Sequence, residues 1–133
     1  MELYELWIER AKSSYEISKT ISKNNIIYYE DLCYQSQQAV EKILKGLLIY
    51  FNIDPEFTHN IGLLLNELEK FTEIPENIKL ATNVTKYAVI TRYPGEYDEI
   101  TKTDYEESIK IAKDCIDWAE NKIKECEAKK TKT

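Results

Sequence analysis

The apolar and polar positions of this chain repeat with the period of an α-helix, most clearly between Glu30 and Leu48. Projected at about 100° per residue, one side of this segment carries Leu32, Cys33, Ser36, Ala39, Val40, Ile43, Leu44 and Leu47. The other side carries Asp31, Gln35, Gln38, Lys42 and Lys45. The first set predicts a surface that faces a core. The second forms an ordered polar stripe, and the pattern leaves open whether it holds a phosphate, a partner protein or water.

The same spacing predicts two long helices in the first part of the chain. The first runs from about Leu3 to Ser22, and its repeating positions are Leu3, Trp7, Ala11, Ser14, Ile17 and Ile21. Small polar residues that compete for backbone hydrogen bonds end it. The second runs from about Tyr29 to Phe51 and ends before Pro55, because proline disfavours helix in the residue that precedes it.

Three further helices follow. A short third helix begins after Thr58 or Asn60, either of which can cap it, and a fourth runs from about Pro75 to Ile90. The segment Thr103–Glu106 has the form of a capping box for the last helix. Its narrow seam is formed by Tyr105, Ile109, Ala112, Ile116, Ala119, Ile123 and Cys126.

These elements predict an all-α fold, an up-and-down bundle of four to five helices. The 133 residues suit one domain, which we place at residues 1–127, followed by a frayed basic tail at 128–133. Three widely separated cysteines favour buried or half-buried thiols over a disulfide or zinc site. We therefore expect no metal site and no cofactor.

Charge and hydropathy narrow the choice of partners. The net charge of −6 opposes non-specific attraction to DNA or to an anionic membrane. The N-terminus does not have the pattern of a signal peptide, and no segment approaches the roughly 18 to 20 apolar residues of a membrane span. We therefore expect a cytoplasmic protein without a membrane partner.

Two groups are candidates for chemistry, and each has a structural alternative. His59 is the only histidine, and it either fixes the bend before the third helix or forms an anion site with the N–H groups at the start of that helix. Arg92 either caps the end of the fourth helix or grips a phosphate, with Tyr93 stacking on a base. Lys42 and Lys45 are candidates to complete such an anion site.

The glutamines of the second helix suit a contact between subunits. Gln35, Gln37 and Gln38 are neutral amides grouped in four positions, which favours hydrogen bonding across a dimer interface. The alternative is a solvated face on which Glu41 and Lys45 form an ordinary ion pair four residues apart.

A family resemblance combines these features. The chain has Trp7 in its first helix, EDLCYQSQQAVEK at 30–42, Thr58 before His59, and YAVITRYP at 87–94. In this order the segments resemble the HEPN family (higher eukaryotes and prokaryotes nucleotide-binding). The resemblance covers residues from about Leu3 to Lys122.

The resemblance implies small, usually dimeric all-α domains, many of which pair with a minimal nucleotidyltransferase in a toxin–antitoxin-like system. Other members are metal-independent ribonucleases, marked by an Arg that is followed, after four to six intervening residues, by a His. After Arg92 this window holds Tyr97, Asp98 and Glu99, so the chain resembles the group without the motif. Metal-free cleavage of RNA usually needs a His close to the phosphate.

Three functional hypotheses follow from the sequence. The first is a non-catalytic, dimeric binding module for a nucleotide or RNA, for a minimal nucleotidyltransferase partner, or for both. Its anion site would comprise Lys42, Lys45, His59, Arg92 and Tyr93. The second is a toxin-like ribonuclease that uses His59 and Arg92. The third is a structural or regulatory bundle without a small-molecule site.

Overall fold

The computed structural model describes residues 1–20, 26–90, 95 and 98–131. Arg92 and Tyr93, and the predicted end of the first helix at Ile21 and Ser22, lie outside the described residues. The helices are α1 (Leu3–Ser18), α2 (Tyr29–Tyr50), α3 (Ile61–Glu69), α4 (Glu76–Lys79), a 3-10 helix (Leu80–Val84), α5 (Tyr87–Ile90) and α6 (Lys102–Thr131). The described residues contain no strand. The predicted all-α bundle is confirmed.

Helix α2 is the centre of the bundle, packed between α1 and α6 and touching α3. The whole apolar side predicted for it is buried: Leu32, Cys33, Ser36, Ala39, Val40, Ile43, Leu44 and Leu47. Lys45, Gly46 and Leu48 are buried as well, so α2 is enclosed on several sides. A helix buried in this way must pair every polar side chain that it places inside.

A glycine brings α1 and α2 close together. A Cβ atom at Gly46 would lie 3.1 Å from the Cβ of Trp7 and 3.4 Å from the carbonyl oxygen of Tyr4. A side chain at this position would push α1 and α2 apart by a few tenths of an ångström. Gly46 thereby lets Trp7 lie close to the last turns of α2.

Helix α1 buries a different side from the one that its spacing predicted. Ala11 and Ser14 are buried as expected, but Leu3 and Ile17 are exposed at 58% and 48%. Tyr4, Ile8 and Tyr15 pack against the core instead, together with the buried Ser18. Helix α1 is thus rotated relative to the predicted orientation, with part of its apolar surface outward.

The predicted fourth helix is wrong as one continuous element. The chain forms α4, then the 3-10 helix, then the single turn of α5. Ile78, Ala81 and Val84 are all buried at steps of three residues, which is the period of a 3-10 helix rather than an α-helix. Thr82, Asn83 and Thr85 also have low helix propensity.

The capping box of α6 lies two residues earlier than predicted. The Asp104 carboxylate accepts hydrogen bonds from the backbone N–H and hydroxyl of Thr101, and the Thr101 hydroxyl accepts from the Asp104 N–H. Of the predicted seam of α6, Tyr105, Ala112, Ile116, Ala119 and Ile123 are buried, whereas Ile109 and Cys126 are half-buried. The helix continues to Thr131, where the sequence predicted a frayed tail from Ala128.

The cysteines and the hydropathy agree with a helical bundle held together by packing. Cys33 and Cys115 are buried and Cys126 is half-buried, all three as free thiols, as predicted. No helix of the described ranges combines the length and apolar character that crossing a bilayer requires.

Candidate functional site around Glu41 and His59

The middle of α2 carries a buried carboxylate. Glu41 is only 5% exposed, and its position is fixed by partners one helical turn away on either side. Its Oε1 accepts a hydrogen bond from Gln37 Nε2 at 3.1 Å, and its Oε2 accepts one from Lys45 Nζ at 3.2 Å. Because isolated buried carboxylates are strongly unfavourable, these two bonds are what allow the charge to lie inside the bundle.

His59 supplies the third partner of the carboxylate. Its Nδ1 lies 2.6 Å from Glu41 Oε1, and its side chain is 52% exposed. The bond to Glu41 engages Nδ1 and leaves Nε2 as the ring nitrogen available to a ligand. The site is therefore an imidazole at the surface, oriented from below by a buried carboxylate.

The loop before α3 positions the imidazole. The Asn60 side chain caps α3 by accepting from the Leu63 N–H at 3.3 Å, and the Thr58 hydroxyl accepts from the Asn60 N–H. The Ile61 N–H donates to the Thr85 hydroxyl at 3.3 Å. Side chains thus take two of the first N–H groups of α3, so these two groups are not available to an anion.

Lys45 belongs to the interior of this site. It is 7% exposed, and its ammonium group lies 5.9 Å from the centroid of the Trp7 ring as well as bonding to Glu41. The predicted Glu41–Lys45 ion pair is therefore present, but it is buried rather than solvated. The positive charge of Lys45 is already balanced by Glu41, which leaves little of it for an anion outside.

Lys42 points to a different part of the molecule. Its Nζ donates to the Ser14 hydroxyl of α1 at 2.8 Å. Burial lowers the pKa of Lys42, and the positive charge of Arg10 lowers it further. The anion site predicted from Lys42, Lys45 and His59 is thus divided, because the structure joins Lys45 and His59 through Glu41 and directs Lys42 towards α1.

The three glutamines also have different surroundings. Gln37 is fully buried, and its Oε1 accepts from Gln38 Nε2 at 2.8 Å. The amide of Gln37 is thus used inside the chain, which corrects its predicted place at a dimer surface. Gln35 and Gln38 are half-buried, and their contact with a second subunit stays a prediction.

The burial of Glu41 could have been predicted from the sequence, although attention to the polar stripe of α2 missed it. Gln37, Glu41 and Lys45 recur every four residues, which places them on one line of a helix. The nearly continuous apolar run from Ile43 to Ile49 indicates that this line is buried. A buried Glu on such a line requires cationic or donor partners, and in the structure Lys45 and His59 are among them. No group of three metal-ligating side chains occurs in the described part of the chain.

Comparison with known proteins places this chain in a family. The model of the HEPN domain matches residues 4–122, which include nearly all of α1, the whole of α2 to α5 and most of α6. The chain belongs to the HEPN family. The expectation drawn from the 30–42 segment and from Thr58 and His59 is confirmed.

Individual HEPN relatives match over nearly their full length. "Putative toxin MJ1304" of Methanocaldococcus jannaschii is 30% identical, with 90% of this chain and 88% of that protein aligned. The crystal structure of ST0689, an archaeal HEPN homologue, is 32% identical with a TM-score of 0.71, and that of TT1696 from Thermus thermophilus is 26% identical with a TM-score of 0.79. Each covers 92% of this chain and 99% of the other.

Proposed function

We propose that this chain is a non-catalytic, dimeric HEPN module of a toxin-type system, which binds the phosphate of a nucleotide and works with a minimal nucleotidyltransferase. Membership in the HEPN family supports the module, and the name of the M. jannaschii relative supports the toxin-type context. The observation that carries the nucleotide proposal is the bond between Glu41 and His59 Nδ1. It turns a half-exposed imidazole into a fixed hydrogen-bonding group for an anion.

The balance of charges at the site supports binding of an anion. Glu41 and Lys45 neutralise each other, so protonation of His59 leaves the cluster with one net positive charge at its exposed edge. A phosphate accepts well from such a fixed donor.

Nucleotide titration with His59 variants tests this proposal. Isothermal titration of the wild type with ATP and with AMP should give saturable binding, and His59→Ala should weaken it about tenfold or more, as expected for loss of a charge-assisted hydrogen bond. Lys79→Ala is the matched control, since Lys79 is an exposed cation on α4 that pairs with neighbouring Glu76. Equal affinities for the wild type and His59→Ala would refute nucleotide binding at this site.

Association is tested separately. Light scattering coupled to size-exclusion chromatography should give twice the mass of the 133-residue chain, and co-expression with a nucleotidyltransferase encoded nearby should give a stable complex. A strict monomer that binds neither nucleotide nor such a partner would favour the purely structural bundle instead.

A metal-independent ribonuclease is the second candidate, and one observation favours it. A carboxylate on Nδ1 orients imidazole for proton transfer at Nε2. Arg92 would have to supply the second group, since Lys45 is neutralised by Glu41. Cleavage of a generic RNA in the presence of a chelator, abolished by His59→Ala and by Arg92→Ala, would establish this activity over simple binding.

A further inference from the structure

The outward side of α1 forms an apolar groove with cations along it. Leu3 and Leu6 are exposed at 58% and 41%, and Trp7 is half-buried beside them. The groove has a volume of about 380 Å³ and is lined by Leu3, Leu6, Trp7, Arg10 and Lys42. It contains three large apolar side chains, two cations and no carboxylate.

The two cations of the groove have not been neutralised. Within the described ranges, no carboxylate lies within ion-pair distance of Arg10 or Lys42, whereas Lys12 on the same helix pairs with Glu120 at 2.7 Å. Burial lowers the pKa of Lys42 and the nearby charge of Arg10 lowers it further, whereas Glu41 acts in the opposite direction. A chain with a net charge of −6 thus keeps a local positive rim beside exposed leucines.

The charges of α1 are divided between its two sides. A second groove on this helix, next to α6, is lined by Glu5, Glu9 and Glu120 among other residues. Two copies of the chain meeting symmetrically through the first groove would bring Arg10 and Lys42 towards their own counterparts. Like charges at an interface are unfavourable, so the charge pattern favours an acidic occupant over a second copy.

The shape of the groove selects the form of that occupant. Leu3, Leu6 and Arg10 lie at steps of three and four residues along about two turns of α1, which is the ridge of an exposed helix. Such ridges pack against the apolar side of another helix. Apolar side chains of the occupant would cover Leu3, Leu6 and Trp7, and its carboxylates would pair with Arg10 and Lys42.

We propose that this groove is a docking surface for an acidic amphipathic helix of a partner protein. The surface lies on α1 and does not include His59, so the proposal stands whether or not a nucleotide binds at His59. A partner that docks in this way would neutralise Arg10 and Lys42 and remove Leu3 and Leu6 from water.

Two matched synthetic peptides test the proposal. Each has about 16 residues, a length at which a helix becomes stable, with leucines spaced i, i+3, i+4 and i+7. One carries glutamates beside the leucines, and the other carries lysines at the same places. In a Trp118→Phe background Trp7 is the only tryptophan. With excitation selective for tryptophan, the acidic peptide should shift its emission to the blue, whereas the basic peptide should not.

Charge and apolar variants identify the groove as the binding surface. Arg10→Glu should weaken the acidic peptide about tenfold or more and allow the basic peptide to bind. Lys102→Glu makes the same change of charge at the exposed first residue of α6, at the opposite end of the bundle from Leu3, and should have little effect. Leu3→Ser should weaken binding, whereas Leu80→Ser, at a position exposed to a similar extent (53%), should not.

Several results would overturn the proposal. These are no binding of the acidic peptide, equal binding of both peptides, or affinities that Arg10→Glu and Leu3→Ser leave unchanged. Displacement of the acidic peptide by AMP, with AMP binding also weakened by Arg10→Glu, would instead make the groove a nucleotide site. Circular dichroism of each variant establishes that the helical fold is retained, since Leu3 and Leu80 are both largely exposed.

Discussion

Glu41 and Lys42 are neighbours in the chain, yet they belong to two regions of opposite character. Glu41 lies in a closed interior network in which Gln37, Lys45 and His59 satisfy its carboxylate. Lys42 lies beside an open groove, where a hydroxyl is its hydrogen-bond partner. A rotation of about 100° around α2 separates a neutralised buried charge from a cation that lines an open surface.

The difference shows which charges of α2 serve the fold and which remain for an outside partner. A buried carboxylate with several short bonds is fixed by the bundle, and its removal is costly even though the pair itself adds little net stability. A half-exposed lysine near another cation contributes little to folding. Trp7 contacts both regions, since it lies near the ammonium group of Lys45 and also lines the groove.

The largest expected effect comes from removing the centre of the network. Glu41→Ala leaves Lys45 buried without a counter-ion, and it should lower the free energy of unfolding by about 3 to 5 kcal/mol in urea denaturation. The matched control is Glu16→Ala, which breaks the exposed pair with Lys19 at 3.0 Å and should cost less than about 1 kcal/mol. The double change Glu41→Leu with Lys45→Met should recover much of the loss. Equal stability of Glu41→Ala and Glu16→Ala would show that the network does not stabilise the fold.

The second-largest loss of stability is expected at Gly46, which contacts Trp7 between the two regions. Gly46→Val places a branched side chain where a Cβ atom would already lie 3.1 Å from the Cβ of Trp7, and it should destabilise the protein by about 1 to 3 kcal/mol. Displacement of Trp7 should also change its emission in a Trp118→Phe background. Ser13→Val, at an exposed position of α1, is the control and should change neither quantity much. Unchanged emission in Gly46→Val would mean that Trp7 is not held by this contact.

A smaller loss of stability is expected at Gln38, which lies at the outer end of the Glu41 network. Gln38→Ala removes the donor to the buried Gln37 oxygen, and it should lower stability by about 0.5 to 1.5 kcal/mol in the same denaturation experiment. Gln35→Ala is the comparison, because Gln35 is also half-buried on α2. If Gln35 contacts a second subunit, its replacement should weaken dimerisation with little change in monomer stability. A larger loss of stability for Gln35→Ala than for Gln38→Ala would contradict this order.

The smallest effect on stability is expected at Lys42, which lies beside the open groove. Burial lowers the pKa of Lys42 from its usual 10.5, so the folded protein binds this proton less tightly than the unfolded chain. The charged form therefore costs stability near neutral pH, and the cost disappears as the pH rises from the lowered pKa towards 10.5. Lys42→Met keeps the aliphatic stem, so its stability should lie within about 1 kcal/mol of the wild type.

The pH dependence separates this effect from a simple loss of packing. Relative to the wild type, Lys42→Met should be more favourable near about pH 7 than near about pH 10, because the cost that it removes is present only while Lys42 is charged. Paired denaturation curves at the two pH values measure the change. A difference that does not vary with pH would show that the hydrogen bond to Ser14, rather than the charge, determines the contribution of Lys42.

The sequence predicted the elements better than it predicted their orientation. Apolar spacing located α2 and the seam of α6 correctly, because long helices repeat their pattern many times. It misjudged α1, in which Tyr4 and Tyr15 pack against the core and Leu3 and Ile17 are exposed. It also missed the 3-10 helix, whose three-residue period differs only slightly from that of an α-helix over a short segment.

The candidate site shows a similar limit. The sequence singled out His59 and Lys45 individually, but it could not show that Glu41 joins them. The distance of 18 residues between Glu41 and His59 is closed only by the turn between α2 and α3. Side chains that meet through tertiary contacts leave no fixed spacing in the chain, which is why the pattern alone assigns Glu41 to an ordinary surface pair.

The order of the helices has a consequence for synthesis on the ribosome. Helix α6 is the last helix of this sequence, and it covers one long side of α2. During translation, α1 and α2 can pair as soon as both have emerged. Cys33, Ser36 and their apolar neighbours stay uncovered until the residues from Lys102 onward have emerged. The nascent chain thus carries an uncovered apolar surface on α2 until these residues have emerged, and this interval is when a chaperone would have the most of it to bind.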